Sequence, residues 1–172
     1  MTEPSGPRLR AAGEADLTAL LDLERAATLA ALAHVYPPQR YPFPEQAVLA
    51  RWALVLAEPD AAVLVLDRGD GPGLDLLVAH DDHSLRHLAV RPERWGCGLA
   101  TAAVGQVLAA IARRGGETAE LWCLADNRRA LRLYERLGWR EALPGPDHPG
   151  PSRREAAWPP HPMEVRYSCP TT

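Results

Sequence analysis

The stretch Leu88 to Val107 (LAVRPERWGCGLATAAVGQV) constrains this chain more than any other. An apolar run, Leu88-Ala89-Val90, stops at Pro92. Gly96 and Gly98 follow and lead into a helical pattern, with Val104, Val107, Leu108 and Ile111 at i, i+3, i+4 and i+7. A strand that turns through glycines into a helix N-terminus leaves backbone N–H groups unpaired at the positive end of the helix dipole. Such a place holds anions, most often phosphate. Side-chain bulk would keep a phosphate off the backbone, so glycine belongs where approach is closest. The same pattern also suits a plain strand-to-helix turn packed through glycine, and the spacing alone leaves both open. Two phosphate loops are excluded. Thr101 stands where a dinucleotide fingerprint needs its third glycine, and no Gly-Lys-Ser/Thr follows in a chain without lysine.

A length of 172 residues suits a single domain spanning 1–172, with a flexible tail over 1–7. Hydrophobic residues make up 47% and charged residues 24%, ordinary values for a soluble globular protein. A net charge of -3 gives no electrostatic case for nucleic-acid binding. No apolar stretch approaches the roughly 20 residues that span a bilayer, and the first ten residues lack the apolar core of a signal peptide. These features predict a cytoplasmic protein with no membrane partner. Cys97, Cys123 and Cys169 are scattered, which suggests neither a disulfide framework nor a zinc site, and no metal is expected.

Along the chain, a short strand over 8–11 precedes a helix opened by Glu14 and Asp16 and running to about His34. The segment Tyr36 to Pro44 (YPPQRYPFP) is too rich in proline for regular helix. Pro44 suits the first turn of a second helix with Val48, Trp52, Val55 and Leu56 on one face. Runs over 62–67, 74–80 and 85–90, separated by GDGPG and by Asp81-Asp82-His83, read as an antiparallel meander. After the glycine motif and its helix come a strand over 119–124, a helix over 126–137 and final strands over 139–143 and 163–169. Between the last two lies a proline-rich loop, 144–162, long enough for a lid or binding loop. The order β-α-α-β-β-β-α-β-α-β-β predicts a mixed sheet with helices on its faces.

Two motifs in this order resemble the GNAT superfamily of acyl-CoA-dependent N-acetyltransferases. The acyl-CoA motif, R/Q-x-x-G-x-G/A after a strand ending in V-x-P, falls on Val90, Pro92, Trp95, Gly96, Cys97, Gly98, Leu99 and Ala100. The signature N-x-x-A-x-x-L-Y-x-x-x-G-F/W is complete as Asn127, Ala130, Leu133, Tyr134, Gly138 and Trp139, about 30 residues on. The likeness covers 74–143 well and the first 60 residues only through helix order. It implies an α/β (α+β) fold: a mixed, mostly antiparallel sheet of about six to seven strands flanked by four helices. The fourth and fifth strands would splay after Val90 to leave a cofactor slot.

The resemblance also implies roles. Acetyl-CoA would be the co-substrate, its pantetheine arm pairing with the backbone of Leu88, Ala89 and Val90 as an added strand. The backbone of Trp95, Gly96, Cys97, Gly98, Leu99, Ala100 and Thr101 would cradle the pyrophosphate. Asn127, the one asparagine of the chain, is placed by the family at the cofactor arm, while its residue type equally suits a helix N-cap. Tyr134 lies two helical turns on and would protonate the departing thiolate, with a core tyrosine as the alternative. The position usually Arg or Gln is Trp95, whose indole has no assigned role beyond packing over the loop. The family's strand glutamate is missing, because Ser84 and Trp122 stand at its usual places. His87 is the leading candidate base, with a structural histidine as the alternative, ahead of Glu120, Asp82 and His83. Cys97 would lie beside the pyrophosphate, not the acetyl group, and Cys123 and Cys169 read as small apolar core residues.

The acceptor end would be built from Tyr36, Arg40, Tyr41 and Phe43 on the first connection. The proline-rich loop would add Asp147, His148, Glu155 and Trp158. Aromatics with a few acids suit a small-molecule amine or a peptide N-terminus and equally suit ordinary loop anchors; the long loop would narrow an open peptide groove, which favours the small amine. A peptide or protein N-terminal acetyltransferase and a non-catalytic acyl-CoA sensor are the alternatives. A homodimer is compatible with the sequence.

Overall fold

The alternating runs at the centre of the chain form a four-stranded antiparallel sheet in the order β1 (Arg10–Ala11), β2 (Ala62–Asp67), β3 (Leu74–His80), β4 (Leu85–Val90). The computed structural model describes residues 7–146 and 148–171. Asp81 shapes the turn between β3 and β4, accepting from the N–H groups of His83 (3.0 Å) and Ser84 (2.7 Å). Every residue of β3 is buried because helices cover both faces of the sheet. On one face lie α1 (Leu17–Leu32) and α2 (Glu45–Ala57), packing Leu20, Leu23, Val48, Trp52 and Val55 against Leu77 and Ala79. On the other, α3 (Leu99–Arg113) packs Ala103, Val104, Val107 and Ile111 against Leu76 and Val78. That α3 stripe is the predicted one, except that Leu108 sits at its partly buried margin.

The second half contributes β5 (Thr118–Leu124), α4 (Arg128–Arg136), β6 (Arg140–Glu141), β7 (Arg153–Glu155) and β8 (Met163–Pro170). Here β8 is central, with β5 on one edge and β6 and β7 sharing the other, all antiparallel. The described residues thus form eight strands in two sheets, against the expected six to seven in one. The unexpected strand is β7, inside the proline-rich loop. All three of its residues are exposed, so no apolar alternation marked it; its pairing to Met163–Val165 makes it a strand. The predicted 139–143 strand shrinks to Arg140–Glu141, and Leu143 is exposed. The predicted tail lies outside the described residues apart from Pro7, as does the acceptor candidate Asp147.

The two sheets touch at one parallel bridge, Ser84 to Glu120, where the Glu120 N–H donates to the His83 carbonyl at 2.9 Å. From there β4 and β5 diverge. The split therefore begins before Leu85 and not after Val90, because β5 takes its pairing from β8. The whole length of β4 borders the gap.

Candidate functional site

The gap exposes an unpaired strand edge. The Arg91 N–H donates to the Asp75 carbonyl on β3 at 2.9 Å. Backbone groups alternate edges along a strand, so those of Ala89 also face β3, and those of Leu88 and Val90 face the gap. Of the three residues expected to pair with a cofactor arm, Leu88 therefore presents both backbone groups and Val90 only its N–H, because its carbonyl accepts from the Trp95 indole. Just beyond, Arg94 donates to the buried Asp75 carboxylate at 2.8 Å, and Arg91 donates to the Leu74 carbonyl through Nε (3.0 Å) and Nη2 (2.6 Å). These contacts anchor the following loop to β3.

In that loop Gly96 (φ +81°) and Gly98 (φ +78°) are left-handed, which suits glycine, and a Cβ on either would meet no atom within 4 Å. The Trp95 N–H is taken by the Pro92 carbonyl (3.2 Å), so Trp95 adds no backbone donor to the cradle. The N–H groups from Gly96 to Thr101 have no acceptor among the described residues, and α3 opens behind them. The Trp95 indole N–H donates to the Val90 carbonyl at 2.8 Å. The Arg129 guanidinium lies 4.0 Å from the centre of its ring.

α4 borders the gap from the side of α3. Asn127 caps it, its side-chain oxygen accepting from the Ala130 N–H at 3.2 Å, as the N-cap reading expected, and the residue also lines the cavity. Tyr134 is buried, 8% exposed, with Trp139 edge-on at 5.8 Å between ring centroids. Burial, with Cys123 alongside, pushes its phenol above the ordinary value near 10, so it stays protonated. Burial likewise pushes the Cys123 thiol up to about 12, a value for an inert core thiol.

The sequence profile described as the Acetyltransferase (GNAT) family matches residues 23–139. The chain belongs to the GNAT family. A mycothiol acetyltransferase from Nocardia farcinica is 40% identical over 105 residues, 59% of this chain and 32% of that protein, so the chain aligns with about a third of that relative's length. The crystal structure of the ribosomal-protein-S18-alanine N-acetyltransferase from Escherichia coli superposes with a TM-score of 0.68 at 20% identity. It covers 96% of this chain and 94% of its own. Spermidine N-acetyltransferase from Vibrio cholerae, solved with CoA and spermine, gives 0.65 at 16% identity over 95% of both chains. No described helix is long and apolar enough to cross a membrane.

A cavity of about 1120 Å³ runs from Leu88, Asn127 and Tyr134 to a chamber between α2 and β7. Tyr36, Arg40, Tyr41, Phe43, Glu155 and Trp158, the residues proposed for the acceptor end from the sequence, all line it. His148 does not. It turns behind the wall, its Nδ1 2.9 Å from a Glu120 carboxylate oxygen and its Nε2 3.3 Å from the Ser168 hydroxyl.

The predicted base His87 reaches the cavity wall, but its ring sits against Trp52 at 5.0 Å between centroids. Burial, reinforced by the Arg51 and Arg86 charges, lowers its pKa from 6.5 to about 3. Such a ring is neutral at physiological pH and a poor proton acceptor. Of the weaker candidates, His83 and Glu120 line the cavity; Asp82 instead pairs with Arg114 at the surface. Arg129, Asp75 and the Glu120–His148 pair are the site features that sequence reasoning left out. Their partners lie in distant segments, so no local spacing marked them.

Proposed function

We propose that this protein transfers the acetyl group of acetyl-CoA to a primary amine of a small molecule by direct attack. The observation that carries this is one continuous cavity. It joins the unpaired backbone edge at Leu88 and the side chain of Tyr134 to a chamber lined by aromatic rings and carboxylates. Leu88 and Val90 orient the acyl-bearing arm by strand-like pairing, and the N–H groups from Gly96 to Thr101 hold its diphosphate. Tyr134 makes no hydrogen bond to a described residue, so its proton is available to the sulfur as the carbon–sulfur bond breaks. A thiol near 8.5 is more acidic than any tyrosine, so Tyr134 acts by stabilising the developing thiolate as much as by full proton transfer.

Before attack, the ammonium of the acceptor must lose a proton. Glu120 takes that role in our proposal, through water. Its bridge to Ser84 sets it beside the place where the resemblance puts a carboxylate on the fourth strand. His148 behind it is partly exposed, 21% of its side chain, and gives the proton a way out. The wall made by 154–159 closes one side of the chamber, which supports a small acceptor over a long peptide. Among the structural neighbours, the spermidine N-acetyltransferase takes its name from such an amine.

The deciding experiment measures CoA release, by chromatography, from purified protein with acetyl-CoA and a panel of small amines and short peptides. Acceptor-dependent release with small amines is expected. Tyr134→Phe and Glu120→Gln should each lower turnover at least tenfold, in line with the 10²–10⁴ typical of acid–base groups, with acetyl-CoA affinity nearly intact. Unchanged turnover in either variant removes that residue's role. Release only with peptides replaces the small-amine acceptor by an N-terminus, and cofactor binding without release points to a sensor.

A further inference from the structure

The side-chain cation of the diphosphate site is missing from its usual place, and the structure offers a replacement. Within the loop the arginines are committed: Arg94 to Asp75, Arg91 to the Leu74 carbonyl. Trp95 stands where the family motif carries Arg or Gln. Its indole is not loose packing: the bond to the Val90 carbonyl at 2.8 Å fixes the ring against the strand end. On that ring lies Arg129, 4.0 Å away, brought across from the first turn of α4. Arg129 is exposed and has no ion-pair partner among the described residues. Stacking uses the flat face of a guanidinium and leaves its N–H donors pointing outward in the ring plane. A fork of donors held over Trp95, next to a loop with unpaired N–H groups from Gly96 to Thr101, matches a diphosphate, which accepts in a bidentate way.

We infer that Arg129, held over Trp95, is the cation that grips the CoA diphosphate, replacing a loop residue by one from α4. The inference rests on the acyl-CoA reading above. Trp95 is then a positioning residue: it sets the height and plane of the guanidinium and takes no charge itself.

The test is calorimetric binding of CoA, dephospho-CoA and S-acetyl-pantetheine to wild type, Arg129→Ala and Arg129→Gln. Both substitutions are on an exposed helix position, and thermal melts confirm folding. The expected result is at least tenfold weaker CoA and dephospho-CoA binding in both variants, with S-acetyl-pantetheine binding changed less than twofold. The double variant Trp95→Arg with Arg129→Ala should regain most of the lost affinity by restoring the motif's own cation. Equal CoA affinity in wild type and both variants overturns the inference. A loss that disappears with dephospho-CoA also overturns it, moving Arg129 to the ribose phosphate, and a matching loss with S-acetyl-pantetheine overturns it in favour of packing. If the wild type binds no CoA at all, the acyl-CoA reading itself fails, which is a distinct result.

Discussion

His87 shows how one residue changes meaning between sequence and structure. Its ordinary pKa of 6.5 made it the attractive base on β4. Burial holds the pKa at about 3, with Trp52 packed at a tilt against the ring and the positive charges of Arg51 and Arg86, each paired to a glutamate of its own, adding to the effect. Unfolding returns it to the ordinary value, so the unfolded chain binds the extra proton between those limits. The folded state loses nothing above pH 6.5 and becomes progressively less stable as pH falls toward 3. At pH 5 the cost is about 2 kcal/mol, from 1.36 kcal/mol per pH unit. Replacing His87 by Gln should remove that part of the acid sensitivity. Urea unfolding at pH 7.5 and pH 5 measures it: the wild type should lose about 2 kcal/mol more than the variant, and equal losses would mean the ring is not held neutral. None of this could be read in the sequence, because Trp52 and Arg51 lie a helix and two strands upstream.

At the scale of elements, legibility followed locality. The glycine turn, the three-strand meander and the α3 stripe were visible because each depends on neighbours in the chain. The loop 144–162 was not, because what orders it comes from β8. Arg166, only 5% exposed, donates to the carbonyls of Pro149 (3.0 Å), His148 (3.1 Å) and Gly150 (3.4 Å). β7 then pairs with β8, and Arg154 stacks on Trp122 at 4.1 Å. A buried cation whose Nη groups donate to three loop carbonyls is a tether: remove it and those carbonyls lose their donors. Arg166→Met keeps the stem and deletes the donors. The expected cost is about 2–4 kcal/mol, since bonds to charged groups contribute more than neutral ones. Hydrogen exchange should accelerate over 148–156 while β2 and β3 stay protected. Uniform acceleration, or none, would refute the tether. Because Glu155 and Trp158 ride on this segment, the same variant should weaken the acceptor chamber before it affects cofactor binding.

The molecule as a whole is two sheets joined by the Ser84–Glu120 bridge, with a shared core beneath α3 and α4 and a second core under α1 and α2. Sequence motifs located the ends of the gap, at Val90 and Tyr134. They could not place its apex, which depends on which strand β5 chooses as partner. An arm that pairs with Leu88 and Val90 while its diphosphate rests on the α3 loop would brace both sides of the gap, and it binds only the folded chain. Free CoA at a hundred times its dissociation constant should therefore add about 2.7 kcal/mol. For a chain of this size that is roughly 5–10 °C in melting temperature. Gly98→Glu supplies the control. Nothing lies within 4 Å of a Cβ there, so the free fold bears mainly the cost of a left-handed backbone, about 1–2 kcal/mol. The new carboxylate, however, occupies the space and reverses the charge where the diphosphate must sit. The variant should fold, melt slightly lower and show no shift with CoA. A full shift in Gly98→Glu would place the diphosphate elsewhere, and no shift in the wild type would leave the open edge of β4 without the ligand its geometry suits. Only the combination of a shift in one and none in the other ties the stabilisation to the turn from β4 into α3.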